Sequence, residues 1–460
     1  MSTYTSPVDV LPTSVDVLIV GFARTGRAVA ARLRRLGHEI VAVDDREVEG
    51  GQEEAEELGV RLLEEPADDV IASLAGSAGL VVVSPGVPPT HAALRAAPAD
   101  RVVSEIELAY RLSEVPIVAV TGTNGKTTVT SLVAAMLAAS GVPALAAGNI
   151  GTPLVDVVPG PGLAPGGPAP APQLVVAEVS SFQLAFSRDF HPVVGTWLNL
   201  AEDHLDWHPT MADYRAAKAR LWVNQGPEDV AVANAADPVV LAEARAARGR
   251  LVTFGPGGDY REVDGALVDP EGATIVEVDD LPRRLPHDRA NVLAAAATAL
   301  AAGASLAGCR TAAATFQVAP HRVELVAEDG GVAWYDDSKA TTPSAVCAAL
   351  AGFDSVVLIA GGRNKGLDLR SIRDHAAAQR GLRVRAVVAL GEAADEVVAA
   401  FDDFAPVVRV ASMAEAVDAA AQAADPGDAV LLSPGCASFD WYSSYGERGE
   451  DFARRVRARL

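Results

Sequence analysis

The sequence predicts an α/β chain in three domains, each built on a doubly wound, mostly parallel sheet, and three observations carry that expectation. Short runs rich in Val, Ile and Leu recur along the chain and alternate with stretches of helical periodicity, the order that builds parallel sheets covered by helices. Most of these runs end in turns of Gly, Ser, Asp or Asn, where open parallel sheets hold their ligands. The chain has 460 residues, half of them hydrophobic, a length for two to four domains with three as the natural number.

A net charge of −22 excludes a broad basic face for nucleic acid or an anionic membrane, while leaving room for local basic sites. Cys309, Cys347 and Cys436 are odd in number and widely spaced, so they support neither a disulfide framework nor a zinc site, and they fit a reducing compartment. The first residues, MSTYTSPVDVLPTS, lack a basic stretch followed by an apolar one. No apolar run reaches the ~18 residues of a membrane span. A soluble, cytoplasmic protein without an integral membrane segment is expected.

Residues 15–20 form a β-branched run that ends in Gly21-Phe22-Ala23-Arg24-Thr25-Gly26, then a helical pattern runs to Leu36 and stops at Gly37. A second strand, residues 39–43, ends at Asp44-Asp45-Arg46. This is a β-α-β unit with an acid at the end of its second strand, where Rossmann-like folds read a ribose or sugar. With only Gly21 and Gly26 of the glycine fingerprint present, a dinucleotide, a nucleotide diphosphate and a purely structural turn all fit. Residues 80–83 lead into Ser84-Pro85-Gly86-Val87-Pro88, and a helix over 105–112 closes a first, Rossmann-like domain expected at residues 1–114.

The second domain, expected at 115–320, opens with the apolar run 117–120 and the turn Thr121-Gly122-Thr123-Asn124-Gly125. It leaves through Lys126-Thr127-Thr128 into a helical pattern. Strand, glycine turn and helix N-terminus gather backbone N–H donors and the positive end of the helix dipole around one point, a phosphate site of the P-loop ATPase-like kind. Lys126 would reach the β/γ-phosphates and the Thr127 hydroxyl would sit on Mg²⁺. The usual spacing calls for a glycine at position 120, where this chain has Val120.

Only four of the 38 basic residues are lysines: Lys126, Lys218, Lys339 and Lys365. A chain that writes Arg elsewhere suggests positions that need a compact amine, one that can lose its proton or be modified. Further along, Gly148-Asn149-Ile150-Gly151 precedes a Pro/Gly/Ala tract at 160–172 that reads as an exposed loop. The strand 174–179 carries Glu178, a candidate Mg²⁺ ligand beside the phosphate loop. His204 stands in the cluster Glu202-Asp203-His204-Leu205-Asp206-Trp207-His208, a setting that favours ligand or catalytic duty. A helix over 211–224 carries Lys218, short strands and turns fill 231–285, and 286–291 opens an alanine-rich helix.

The third domain, expected at 321–460, is doubly wound and Rossmann-like. Its strands at 323–326, 332–335, 356–360, 384–390 and 429–432 end in polar clusters: DDSKATTP, GGRNKG and SPGCASFDWYSSYGERG.

Taken in order, TGTNGKTT, GNIG, EVSSFQL, NLAEDHLDWH, YRAAK, HR, DDSKATTP, GGRNKG and SPGCASFDWY resemble the Mur ligase family over nearly the full length. The resemblance implies an ATP-dependent amide-forming ligase. ATP would be held by Gly122, Thr123, Asn124, Gly125, Lys126, Thr127, Thr128, Asn291, Arg322 and Asp337, with Lys339 on the transferring phosphate. Two Mg²⁺ sites are implied, one on Thr127 and Glu178, the other on His204 and on Lys218 as its N-carboxylated carbamate. At the adenine side, Ala290 and Ala294 stand where the family pattern has His and Asn.

UDP-N-acetylmuramoyl-L-alanine is the implied acceptor, along Phe22, Ala23, Arg24, Thr25, Asp44, Asp45, Arg46, Ser84, Pro85, Gly86 and Asn149. D-Glutamate would be held by Thr341, Lys365, Ser438 and Tyr445. The chain reads LDLR after GGRNKG and has no D-N-P-R segment of the diamino-acid-adding branch, which steers the choice to glutamate. A monomer is expected, with the third domain closing over the second to keep water from an acyl phosphate. A folylpolyglutamate-type ligase and a non-catalytic nucleotide switch are the rival readings. The sugar-nucleotide domain weighs against the first, and Glu178, His204, Lys218 and Lys339 together weigh against the second.

Overall fold

The computed structural model describes residues 16–164 and 171–459; the N-terminal stretch and residues 165–170 of the Pro/Gly/Ala tract lie outside the described residues. The chain forms two compact units. One takes the residues up to Leu200 with Trp207–Pro282 and Ala290–Phe316, the other Ala201–Asp206, Arg283–Arg289 and the chain from Gln317 onward.

The first unit carries two parallel sheets. β1 (Val17–Val20), β2 (Ile40–Asp44), β3 (Arg61–Glu64), β4 (Leu80–Val83) and β5 (Val102–Ser104) lie in the order β3-β2-β1-β4-β5. Every residue of β1 and β4 is buried, so these strands read as continuous apolar runs, as strands covered on both faces do. The strand order reverses between β1 and β4, which puts a crevice beyond their C-terminal ends. The second sheet orders β6 (Ile117–Thr121), β7 (Ala144–Gly148), β8 (Leu174–Glu178), β9 (Val194–Trp197), β10 (Val230–Asn234) and β11 (Arg250–Phe254) as β11-β10-β9-β6-β8-β7. A small antiparallel sheet of β12 (Arg261–Val263), β13 (Ala266–Val268) and β14 (Thr274–Glu277) follows.

The second unit holds β15 (Glu324–Asp329), β16 (Val332–Asp336), β17 (Ser355–Gly361), β18 (Arg383–Leu390), β19 (Val407–Arg409) and β20 (Ala429–Gly435) in the order β15-β16-β20-β17-β18-β19. Only β15 runs antiparallel to its neighbour; the other pairs are parallel. The helix Glu105–Leu112 spans the residues expected of it, and the central strands lie within a few residues of their expected positions. β3, β5, β7 and β19 went unassigned by the sequence reading, and all four are edge strands. An edge strand is short and less enclosed, so its apolar pattern is weak. The helix Pro238–Ala246 also lay hidden in a stretch read as strands and turns.

The two sheets of the first unit share one apolar cluster, which runs from Val17 and Leu33 through Ile106 and Leu112 to Ile117, Leu154 and Trp197. A polar clasp reinforces it. Arg32, 1% exposed, donates from Nε to the Pro161 carbonyl at 2.6 Å and from Nη1 to the carbonyls of Val155 at 3.1 Å and Val158 at 3.2 Å. The Glu105 carboxylate accepts the Val155 N–H at 2.7 Å. A Cβ at Gly160 would lie 1.9 Å from the Leu112 carbonyl oxygen, so the segment passes the helix only as glycine. The start of the Pro/Gly/Ala tract is therefore half-buried rather than exposed, because Gly160 packs on the Leu112 carbonyl and the Pro161 carbonyl accepts from a buried guanidinium.

Burial pushes the Glu105 carboxyl up from 4.5 to about 7. The folded state thus binds this proton more tightly than the unfolded state. The group's contribution to stability is complete below pH 4.5 and is lost as the pH rises through about 7. Glu105→Gln keeps an acceptor for the Val155 N–H and cannot ionise. Its urea-unfolding midpoint should fall less steeply than wild type's between about pH 5 and 8; equal slopes in the two proteins would contradict this account.

Candidate functional site

The turn after β6 is held open from both sides. Thr121 Oγ1 donates to the Val179 carbonyl at 2.8 Å, just past β8. On the β9 side, Asn199 Oδ1 accepts the Asn124 N–H at 2.9 Å, and its Nδ2 donates to the Asn124 carbonyl at 3.1 Å. The Thr123 N–H reaches the Asn199 carbonyl at 3.1 Å, and Thr123 Oγ1 lies 3.1 Å from the Tyr214 hydroxyl. Gly125 takes φ +84° at the mouth of the helix Lys126–Ala139, and a Cβ there would stand 2.7 Å from Asn291 Oδ1. Asn291, expected on the adenine side, thus packs directly on the loop.

Two of the four lysines converge on this turn. Lys126 Nζ donates to the carbonyls of Gly122 and Thr123, both at 2.9 Å. Lys218 comes from the helix Met211–Val223, is 1% exposed, and donates to the same Gly122 carbonyl at 2.9 Å. Its Nζ lies 4.7 Å from the centre of the Tyr214 ring. Two lysine side chains thus meet on one carbonyl oxygen of the loop. Lys218 is remote from the loop in sequence, and the fold brings it there.

Glu178 closes β8 and is 2% exposed. Its Oε1 accepts from Asn149 Nδ2 at 2.9 Å, while Oε2 is buried with no hydrogen-bond partner among the described residues. A buried carboxylate oxygen left unmet is costly, and a bound cation satisfies it. The donor set therefore fits Mg²⁺, with Thr127 half-buried in the first turn of the neighbouring helix.

At the first sheet, Asp44 organises the loop after β1: its Oδ2 accepts the Phe22 N–H at 2.8 Å and its Oδ1 the Arg46 N–H at 3.2 Å. Ser84 Oγ donates to the Gly21 carbonyl at 3.0 Å. The Phe22 ring is fully buried in the core, so this residue can meet a ligand only through its backbone. Ala23, Arg24, Asp45, Arg46 and Gly86 are exposed around the crevice, with Thr25 and Pro85 half-buried.

In the second unit, β16, β20 and β17 are adjacent, and the loops at their C-terminal ends carry Asp337, Lys339 and Thr341, then Ser438 and Tyr445, then Lys365. Asp337 accepts from Ser433 Oγ at 2.7 Å and from the Val323 N–H at 3.2 Å, and burial pushes its carboxyl up to about 7. Lys339 Nζ stands 3.9 Å from the centre of the Tyr445 ring. Sequence reasoning missed Arg448, which is fully buried on the terminal helix. It donates to Ser338 Oγ at 2.9 Å, to the Ser338 carbonyl at 2.8 Å and to the Cys436 carbonyl at 3.1 Å, tying two of these loops together. Arg322 is half-buried two residues before the strand β15. His204 takes φ +57° and pairs with Asp203 at 3.2 Å. No described helix is long and apolar enough to cross a membrane.

A phosphate loop with a buried carboxylate beside it, followed by a second doubly wound unit with polar loops, defines a nucleotide-dependent ligase architecture. Residues 120–299 match the Mur ligase middle domain and residues 321–436 the Mur ligase glutamate ligase domain. The chain belongs to the Mur ligase family, ATP-dependent enzymes that form amide bonds. It is 43% identical to UDP-N-acetylmuramoylalanine--D-glutamate ligase of Frankia casuarinae, an alignment covering 97% of this chain and 94% of that one. It is 41% identical to the protein of the same name from Thermobifida fusca, over 96% and 98% of the two chains. Among solved structures, a pseudomurein peptide ligase type C from Methanothermus fervidus superposes with TM-score 0.60 at 16% identity, covering 97% and 99% of the chains. The UDP-N-acetylmuramate-alanine ligase of Thermotoga maritima does so with TM-score 0.58 at 20% identity, covering 97% and 100%.

Gly125→Ala should remove ATP-dependent phosphate release almost completely while leaving far-UV circular dichroism unchanged, since its Cβ meets Asn291 at a positive φ. Turnover within about twofold of wild type would mean that the loop tolerates the side chain and is not held as described.

Proposed function

We propose that this protein ligates D-glutamate to UDP-N-acetylmuramoyl-L-alanine at the expense of ATP, a step of cytoplasmic peptidoglycan precursor synthesis. The observation that carries the reading is 43% identity to a relative bearing that name, along 97% of this chain. The two lysines on the Gly122 carbonyl and the unmet oxygen of Glu178 support it chemically.

In this mechanism the alanyl carboxylate oxygen attacks the γ-phosphorus of ATP, ADP leaves, and an acyl phosphate forms. The amine of D-glutamate then attacks the acyl carbon, the C–O bond to phosphate breaks, and the amide nitrogen releases its proton. Lys126 leaves the loop carbonyls to follow the β/γ-phosphates, and the backbone N–H groups of residues 122–128 hold the triphosphate. Mg²⁺ bound by Thr127 and Glu178 would supply charge neutralisation on the phosphate oxygens. Asn291, Arg322, Asp337 and Lys339 are assigned to ATP and the transferring phosphate, and Thr341, Lys365, Ser438 and Tyr445 to glutamate. The crevice of the first sheet, with Phe22 to Thr25, Asp44 to Arg46, Ser84 to Gly86 and Asn149, is assigned to the UDP-sugar.

Incubating the purified protein with ATP, Mg²⁺, UDP-N-acetylmuramoyl-L-alanine and either enantiomer of glutamate tests the reading. Phosphate release and amide product are expected with the D-enantiomer and not the L-enantiomer; equal rates with both, or release that needs no acceptor, would reject it.

Lys218 is further proposed to act as a carbamate that, with His204, holds a second cation. Its neutral amine adds to the carbon of CO₂ and loses a proton, exchanging a positive charge for a negative one. The addition requires the neutral amine, and the side chain that would carry the carbamate is 1% exposed beside the phosphate loop. Arg cannot react in this way. Lys218→Arg should therefore retain the wild-type melting temperature and lose at least about 100-fold in kcat, and removing bicarbonate should lower wild-type activity reversibly. Full activity in CO₂-free buffer would refute the carbamate.

A further inference from the structure

The loops after β2 and β4 flank the loop after β1, and one side chain bridges them. His91 follows the Ser84-Pro85-Gly86 turn, is 9% exposed, and lies 3.0 Å through Nε2 from Asp45 Oδ1. Its other ring nitrogen fixes the proton. The Ala93 N–H, necessarily a donor, points at Nδ1 at 3.2 Å, so Nδ1 is the acceptor and Nε2 carries the hydrogen. A neutral His91 therefore donates to Asp45.

The Asp45 side chain is 60% exposed, whereas that of His91 is 7% exposed. An exposed carboxylate at the rim of the crevice is thus tethered at one oxygen by a buried ring. Two further bonds already brace the same rim, Asp44 to Phe22 and Ser84 to Gly21. A third anchor acts on the His91 side: Trp207 Nε1 donates to the Val87 carbonyl at 2.9 Å, so the segment leading to His91 is itself fixed.

We infer that His91 is a positioning residue for the nucleotide end of the acceptor substrate: it holds Asp45 in the rotamer that receives a hydrogen-bond donor of the bound nucleoside. The inference rests on reading this crevice as the uridine nucleotide site. Its energetic basis is that a rotamer fixed before binding need not be ordered on binding. The effect belongs to ground-state affinity and leaves the distant phosphate chemistry alone.

His91→Asn separates this role from a structural one. Asn is a favoured helix N-cap and keeps an acceptor for the Ala93 N–H, but it is too short to reach Asp45. The variant should melt with wild type and show a KM for the UDP-linked acceptor raised roughly threefold to tenfold, with kcat and the KM values for ATP and glutamate unchanged. In an Asp45→Ala background, where the acceptor KM is already raised, His91→Asn should add nothing. An unchanged acceptor KM in His91→Asn, or a full additional increase on top of Asp45→Ala, overturns the inference. Calorimetric titration of wild type with UDP distinguishes the two levels. Binding by wild type with no loss in His91→Asn rejects the role of His91 alone. No binding by wild type rejects the crevice assignment and, with it, this inference.

Discussion

The paired hydrogen bonds between the Asn199 amide and the backbone of Asn124 are the interaction on which the site depends. A glycine turn between strand and helix has many conformations open to it, and most of them turn some N–H groups away from a common point. Engaging both the N–H and the carbonyl of one loop residue removes that freedom, and on the other side the Thr121 hydroxyl ties the start of the turn to the Val179 carbonyl past β8. The loop is therefore shaped before an anion arrives. Lys126 meanwhile satisfies itself on the carbonyls of Gly122 and Thr123, and can exchange those bonds for phosphate oxygens.

Much of this was legible in the sequence. The strands that lie between two others announce themselves as unbroken apolar runs, and β1, β4, β6 and β20 were found in this way. The edge strands β3, β5, β7 and β19 were not, because a strand with one neighbour needs fewer apolar residues to hold it. The turn GTNGKT declared its chemistry through residue type and spacing alone. Lysine scarcity marked Lys218, but its contact with Gly122 is a tertiary fact that no local pattern encodes.

The residues that reading missed have a common character. Asn199, Arg448 and His91 touch backbone or another side chain, not an assigned ligand, and each has at least one partner far away in the chain. Arg448 on the terminal helix resembles any solvated arginine until the fold shows it 1% exposed. The one positive clue available was that it interrupts what would otherwise be an apolar face. Phe22 shows the converse: its place in a binding loop was visible, whereas the direction of its ring was not.

The clasp formed by Arg32 and Glu105 has a consequence for selectivity. Because the first two sheets share a core and a buried polar junction, the crevice of the first and the phosphate loop of the second belong to one compact unit. Under the proposed assignment, an acceptor anchored at one end and phosphorylated at the other would have to bridge a fixed interval. The first unit would then act as a caliper, gauging how many bonds separate the acceptor's diphosphate from its reacting carboxylate.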